Sequence, residues 1–365
     1  MFRNVYSGKK VVVTGHTGFK GAWLTRWLTM LGAEVMGISD DIPTKPSLFE
    51  ILGLQDKIRH EILDIREAAP LADLILEFQP DFIFHLAAQA IVSTSYEDPI
   101  STISTNVLGT AHVLECIRQL SKPCAVVVIT SDKCYENVEW EWGYRETDHL
   151  GGKDIYSASK GAAELIFHAY FQSFLKDRPD IRIASARAGN VIGGGDWAKD
   201  RIIADSVINW SHGEPVQIRS PEATRPWQHV LEPLSGYLWL GASLTTSPEL
   251  NGESFNFGPR AEQNRRVVDL IADVFKYWNQ DFDCYRITGN IPFHEAGLLK
   301  LNCDKALFHL KWEPTLFYQE CVQMVGKWYA GFYINGENMP GVTQRQIEQF
   351  MGLAKERGIS WTLSR

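Results

Sequence analysis

Gly15, Gly18 and Gly21 stand at three-residue intervals between a β-branched run at residues 10–14 (KVVVT) and a stretch at 21–31 whose apolar residues recur at helical spacing. This strand, glycine turn and helix constrains the fold more than any other feature of the chain. The close turn lets a pyrophosphate approach the helix N-terminus, whose first N–H groups have no partner within the helix. Gly15, Thr17, Gly18, Phe19, Lys20 and Gly21 are accordingly the first candidate cofactor residues. Their spacing differs from the commoner G-x-G-x-x-G fingerprint, so the weight rests on their place between strand and helix.

A second apolar strand at 34–38 ends in Ser39-Asp40-Asp41. A carboxylate about 20 residues beyond such a loop accepts the ribose hydroxyls and repels a 2′-phosphate, so Asp40 favours NAD over NADP, with Asp41 as a rival. Asp64 follows a third strand at 59–63, where it is placed to accept from the adenine amine. Leu86, Ala87, Ala88 and Gln89 supply mostly small residues where a fourth strand, 82–86, meets the cofactor. Strands at 125–130 and 182–186 follow, with helical segments separating most of them. Near-continuous apolar strands alternating with helices imply an α/β fold, a Rossmann-type doubly wound parallel sheet. Beyond about residue 190 the texture turns rich in Gly, Pro, Trp and Arg. The expected division is an NAD-binding domain at 1–190, with return segments near 225–260, and a smaller C-terminal α/β substrate-binding portion at 191–365.

The chain of 365 residues carries a net charge of −8, which offers nucleic acid no electrostatic footprint. It opens without a charged leader or long apolar segment, and its longest uncharged stretch, 233–247, is too short and polar to span a bilayer and reads as a buried helix. A soluble cytoplasmic protein is expected, with no membrane partner. The six cysteines and ten histidines show no zinc-like spacing, so free thiols and no metal are expected. Cys134 adjoins the proposed catalytic residues but reads as a buried apolar residue, and Trp140 and Trp142 read as packing residues.

Tyr156 and Lys160 lie four residues apart in YSASK, on one helix face, so the ammonium can favour a phenolate able to deprotonate a sugar hydroxyl. Thr130, Ser131, Asp132 and Lys133 fall at the end of the fifth strand, where open α/β sheets bind ligands. Asn190 with Gly193, Gly194 and Gly195 forms a turn that could bring backbone amides to a diphosphate, and Arg201 and Arg225 add local positive charge suited to phosphate.

The motifs GHTGFKG, TSDKCYEN, DIYSASKGAAEL, RAGNVIGGGDWAKDRIIAD, RPWQHVLEPLSGYLWL, FNFGP and HEAGLLKLNCDKA closely resemble the CDP-glucose 4,6-dehydratases, a nucleotide-sugar branch of the extended short-chain dehydrogenase/reductases, from about residue 8 to about residue 330. The resemblance implies an NAD-dependent lyase. Tyr156 takes the proton of the glucose 4-hydroxyl while a hydride passes from carbon 4 to NAD; water leaves across carbons 5 and 6; and the hydride returns to carbon 6. In that scheme Ser131 hydrogen-bonds the 4-oxygen, Lys160 polarises Tyr156 and holds the nicotinamide ribose, and Asp132 protonates the departing 6-hydroxyl. Asn106 joins Tyr156 and Lys160 among the implied cofactor contacts. Asn190, Arg201, Gln217, Arg219, Arg225, Asn256 and His294 are the implied nucleotide-sugar contacts, with Glu295 and Lys300 weaker candidates. A homodimer through long helices at 102–118 and 157–175 is implied as well.

Two positions depart from related patterns. Lys133 stands where thymidine-type dehydratases carry a glutamate base, so it is either a neutral amine acting as base or a cation stabilising an enolate. Leu298 stands where a tyrosine is expected near the nucleotide, which bears on which nucleotide is bound. A nucleotide-sugar 4-epimerase and a dehydratase for another nucleotide sugar remain alternatives, as does an inactive NAD-binding protein. An epimerase has no need of an acid such as Asp132 aimed at carbon 6, and the intact Ser131, Asp132, Tyr156 and Lys160 argue against lost catalysis.

Overall fold

The computed structural model describes residues 1–288 and 298–363. Val11, Val12 and Val13 of β1 (Lys10–Thr14) have no exposed surface, because β1 pairs in parallel on both edges, with β2 (Glu34–Ser39) and β4 (Phe82–His85). A strand flanked on both edges and covered on both faces has no wet side, which is why it is continuously apolar rather than alternating. β3 (Arg59–Ile62) extends the sheet past β2, while β5 (Cys124–Ile129), β6 (Ile181–Ala188) and a last strand, Ser254–Phe257, extend it past β4. All seven strands are parallel, and the direction of chain progression reverses between β1 and β4. In open α/β sheets such a reversal is where a ligand crevice lies, outside the C-terminal ends of the two strands.

Val12, Met36, Ile83 and Val126 pack against helices Ala68–Phe78, Thr110–Gln119 and Ile155–Tyr170 on one face. Val11, Val13, Phe84 and Val127 face α1 (Phe19–Met30) and the helix Leu231–Leu244, all of whose 14 residues are buried. That helix occupies most of the uncharged 233–247 stretch, and no helix among the described residues is long and apolar enough to cross a membrane.

The long helices expected at 102–118 and 157–175 are not uniform. A π-helical stretch, Ser104–Gly109, interrupts the first, and another, Phe171–Leu175, ends the second. Such stretches reset the facing of a helix and recur beside functional sites.

Beyond β6 the chain forms three two-stranded pairs: Val191–Ile192 with Gln228–His229, Thr224–Pro226 with Asn264–Arg266, and Val216–Ile218 with Tyr285–Ile287. The last helix, Met339–Glu356, leads back to the N-terminus, where Trp361 stacks on Phe2 at 4.9 Å and on Phe350 at 5.8 Å. Trp27 of α1 meets the edge of the same indole at 6.0 Å.

Candidate active site

The glycine loop is shaped by its neighbours. Gly15 leaves β1 at φ +76, and a Cβ there would stand 2.8 Å from the backbone nitrogen of Ala87, so no other residue fits. Gly18 precedes α1 without a side-chain cap, leaving the first N–H groups of the helix available to an anion. Thr17 Oγ1 donates to Asp41 O at 2.7 Å, tying the loop to the end of β2, where Asp40 is exposed. Beneath the loop His16 is fully buried, with Nδ1 2.9 Å from Ser39 Oγ and Nε2 2.7 Å from His60 Nδ1. Burial, then the neighbouring His60, holds its pKa down to about 4, so a neutral ring pins the loop to β2 and β3. No motif singled out His16; a histidine among loop glycines, with a second one on β3, was the available signal.

Two residues assigned to the cofactor are engaged within the protein. Asn106 is buried, accepts from Gln89 N at 2.8 Å, and donates to Gln89 O at 3.0 Å and Ser159 Oγ at 2.9 Å. With both amide hydrogens donated it ties the loop after β4 to the helix that carries Tyr156 and Lys160. Asp64 is held by Arg66, with Nε at 2.8 Å and the backbone N–H at 2.8 Å, an ion pair that competes with any adenine contact. Leu86, Ala87, Ala88 and Gln89 are half-buried beside Gly15, and Ala87 N donates to Thr14 Oγ1 at 3.2 Å.

The reactive residues come from the end of β5 and one helix. Ser131 caps the short turn Asp132–Cys134, its Oγ accepting from Lys133 N at 3.2 Å and donating to Asp132 Oδ1 at 3.0 Å. Asp132 is 4% exposed, and burial raises its pKa against the opposing pull of Lys133, Ser131, Lys20 and Arg225. Asp154 caps the helix Ile155–Tyr170, which places Tyr156 and Lys160 one turn apart, with Lys160 Nζ 5.8 Å from the Tyr156 ring centre. The expected acidification of Tyr156 by Lys160 is not what the protein alone provides. Burial drives the phenol up to about 12 despite its hydrogen bond with Ser131 and the charge of Arg201. Burial likewise brings Lys160 down to about 8, opposed by Cys134 and Glu164. Lys20 reaches the same centre from the glycine loop; burial, then Arg201 and Lys160, lowers its pKa to about 8, while Asp132 and Asp196 oppose. Cys134 is buried and its thiol pushed up by burial, so it is no thiolate nucleophile. Lys133 borders a recess with Asn137, Lys153, Asp154 and Leu299.

On the other side of the crevice Arg201 pairs with Asp196 at 3.1 Å and Arg219 with Asp200 at 3.5 Å. Arg225 donates to Thr224 O at 2.9 Å, and its charge reaches Asp132. Gln217 is exposed on the strand Val216–Ile218, and Asn190 is half-buried. Lys300 is half-buried, its backbone O accepting from Tyr144 N at 2.9 Å. Asn256 has no exposed surface; it accepts from Tyr135 Oη at 2.7 Å and donates to Tyr144 O at 2.9 Å and Asn302 O at 3.0 Å, and so braces the site from within. Gly193, Gly194 and Gly195 are buried against Val230, Trp328 and Leu48, which a Cβ at these positions would meet. Trp142 is 67% exposed, not packed. His294 and Glu295 lie outside the described residues, and Leu298 O accepts from Asn137 Nδ2 at 3.2 Å.

Glu164, four residues beyond Lys160, and Arg187 of β6 form an ion pair at 2.8 Å with 0% and 1% of their side chains exposed. Two arginines in the otherwise apolar IRIASARA strand were the signal for such a pair. Among the described residues no cluster of three or more His, Cys, Asp or Glu could hold a metal.

The fold and this centre define a Rossmann-type α/β protein with a Ser-Tyr-Lys constellation at the C-terminal ends of its strands. The family model described as GDP-mannose 4,6 dehydratase matches residues 12–325, and the chain belongs to that family. It is 48% identical, over 96% of its length and 98% of the relative's, to CDP-glucose 4,6-dehydratase of Salmonella typhimurium. Among solved structures it resembles an epimerase from Methanothermobacter thermautotrophicus, with a TM-score of 0.78, 21% identity and coverage of 91% and 95% of the two chains. It likewise resembles dTDP-glucose 4,6-dehydratase of Streptomyces venezuelae, solved with NAD bound, with a TM-score of 0.75, 21% identity and coverage of 89% and 99%. At these identities the two structures establish the fold.

Proposed function

We propose that the chain is a CDP-glucose 4,6-dehydratase that uses NAD and yields the 4-keto-6-deoxy sugar nucleotide. The observation that carries this reading is Asp132, a buried carboxyl of raised pKa hydrogen-bonded to Ser131 beside Tyr156. A 4-epimerase requires a base at the 4-hydroxyl; a dehydratase requires in addition an acid for the departing 6-hydroxyl. The relative at 48% identity supports cytidine as the nucleotide.

The residues present fit NAD. Gly15, Thr17, Gly18, Phe19, Lys20 and Gly21 line an uncapped helix N-terminus, and Asp40 stands exposed at the end of β2 to receive the ribose hydroxyls. Bound there, NAD would supply a hydride acceptor that returns what it takes, and a positive charge beside Tyr156.

Tyr156 as phenolate removes the proton of the 4-hydroxyl, Ser131 hydrogen-bonds the same oxygen, and Lys160 stabilises the phenolate. Asp132, whose carboxyl burial biases towards the protonated form, delivers a proton to the 6-hydroxyl as water leaves. Lys133 serves carbon 5, as a base when neutral or by stabilising the enolate when charged. Arg201, Gln217, Arg219, Arg225 and Asn190 receive the nucleotide diphosphate and sugar, with His294 an additional contact outside the described residues.

Three pairs of short strands form the substrate side in this reading, while residues 339–363, packed on α1 and Phe2, belong with the dinucleotide side. Ile100, Leu108, Leu165 and Phe174 leave apolar surface exposed on two adjoining helical segments, which supports a homodimer through that face. A monomeric mass by light scattering would end that part of the proposal. Six free cysteines accord with a reducing, cytoplasmic setting.

The test is incubation of the purified protein and NAD with CDP-, dTDP-, UDP- and GDP-glucose, followed by mass spectrometry. Loss of one water from CDP-glucose is the expected result. Loss from another sugar nucleotide overturns the cytidine assignment, and unchanged masses with epimerised product by NMR overturn dehydration. Asp132→Asn should slow water loss more than oxidation, so that a 4-keto or NADH-bearing species accumulates; equal slowing of both removes its role as the acid.

A further inference from the structure

Asp200 stands out on three counts. Its backbone lies in the left-handed region at φ +59, a conformation that Asp and Asn tolerate better than most residues. One carboxylate oxygen is 3.5 Å from an Arg219 guanidinium nitrogen, and the other accepts from Ser93 Oγ at 2.6 Å, a residue more than a hundred positions away on the helix Val92–Glu97. Beside it Lys199 meets Glu97 of the same helix at 3.4 Å, so the loop at 196–201 is fastened to the far side of the crevice by two contacts.

Asp205 supports the placement from behind. Its carboxylate accepts the Asp200 N–H, and burial followed by the charge of Asp200 raises its pKa to about 6. The loop thus holds Asp200 in a strained conformation with its carboxylate on the guanidinium.

A carboxylate oxygen and a phosphate oxygen are both anionic acceptors for a guanidinium N–H, so one can replace the other on Arg219. We propose that Asp200 is an affinity-setting residue: an internal counter-ion that occupies Arg219 until the diphosphate of a nucleotide sugar displaces it and releases Ser93. The inference rests on the reading that Arg219 receives the diphosphate. Exchange of one anionic partner for another keeps Arg219 paired in both states and weakens product binding along with substrate binding, which favours release.

The test is calorimetric titration of CDP into NAD-saturated protein, in a double-mutant cycle of Asp200→Asn and Arg219→Met. Asparagine keeps the left-handed backbone and the Ser93 hydrogen bond while removing the charge. Asp200→Asn should bind CDP about two- to five-fold tighter than the wild type. In the Arg219→Met background the same substitution should change the affinity by less than about 1.5-fold. An equal gain in both backgrounds would mean a general field effect and overturn the proposal, as would no gain at all. If Arg219→Met alone leaves CDP affinity unchanged, the diphosphate role of Arg219 falls first and Asp200 with it, an outcome recognisable without reference to the Asp200 variant.

Discussion

At the end of the site proposed for the chemistry the ion pair Glu164–Arg187 is 0% and 1% exposed, and at the end proposed for the diphosphate Arg219–Asp200 is 42% and 40% exposed. The first pair is held by further hydrogen bonds on both sides, with Arg187 Nε left without a partner. Glu164 also accepts from Thr130 Oγ1 and from Ser185 Oγ at 2.9 Å, and Arg187 donates to Tyr135 Oη at 2.7 Å. Burial alone would raise the Glu164 pKa, yet Arg187 and the hydroxyls hold it at about 2. Because Thr130 directly precedes Ser131 and Glu164 lies one turn past Lys160, this pair locks the β5 turn to the helix of Tyr156 before any ligand arrives. The exposed pair has water as an alternative partner and so exchanges at little cost. In the proposed reading the chemistry rests on buried contacts that water cannot replace, and the binding side on exposed contacts that it can.

The largest expected effect lies at the rigid end. Tyr156→Phe should lower turnover of CDP-glucose by about 10²- to 10⁴-fold while CDP affinity by calorimetry stays within about two-fold of wild type. A comparable loss of CDP binding would show that the two ends are not separable.

Glu164→Gln, which leaves the Arg187 cation buried without its counter-charge, should cost about 3–5 kcal/mol in denaturant unfolding. The sign with pH follows from the depressed pKa: the stabilisation is complete above the ordinary glutamate value and is lost only as pH falls towards about 2. A wild type and variant of equal stability at neutral pH would remove the contrast with the phosphate end.

Lys160 sharpens the comparison by titrating in the opposite sense. With its folded pKa lowered to about 8, it costs stability below that pH, and the cost is relieved as pH rises towards 10.5. The wild type should therefore gain on Lys160→Met across that window by on the order of 3 kcal/mol at most. Parallel stability curves for the two proteins would place Lys160 in contact with water.

Smallest of all, Asp200→Asn should change unfolding free energy by less than about 0.5 kcal/mol. A loss approaching that of Glu164→Gln would make the phosphate end as rigid as the chemical one.

Much of this arrangement was legible in the amino-acid order. The runs KVVVT and CAVVVI, the glycines at 15, 18 and 21, and the Tyr156–Lys160 spacing each encode a local geometry in a few consecutive residues. A continuous apolar strand, a turn needing glycine at φ +76 and a four-residue helical interval need no distant partner to be recognised. The family resemblance implies ligand contacts for Asn106 and Asn256, and in sequence an amide reads the same whether its partners are cofactor or protein. Only the folded chain shows their hydrogen bonds already taken by Gln89, Ser159, Tyr135, Tyr144 and Asn302. Gly193–Gly195 carry a related ambiguity, since glycine permits close approach by an indole as readily as by a phosphate.

The amino-acid sequence by itself determined the sheet and the glycine loop and singled out the candidate reactive residues, because periodicity and short spacings are properties of neighbouring positions. Tertiary structure decided which charges are buried and which are exchangeable. Burial and pairing depend on groups brought together from distant parts of the chain, such as Ser93 with Asp200 and Glu164 with Arg187. The free energy of a charge is set by the solvent and partners around it rather than by its place in the chain.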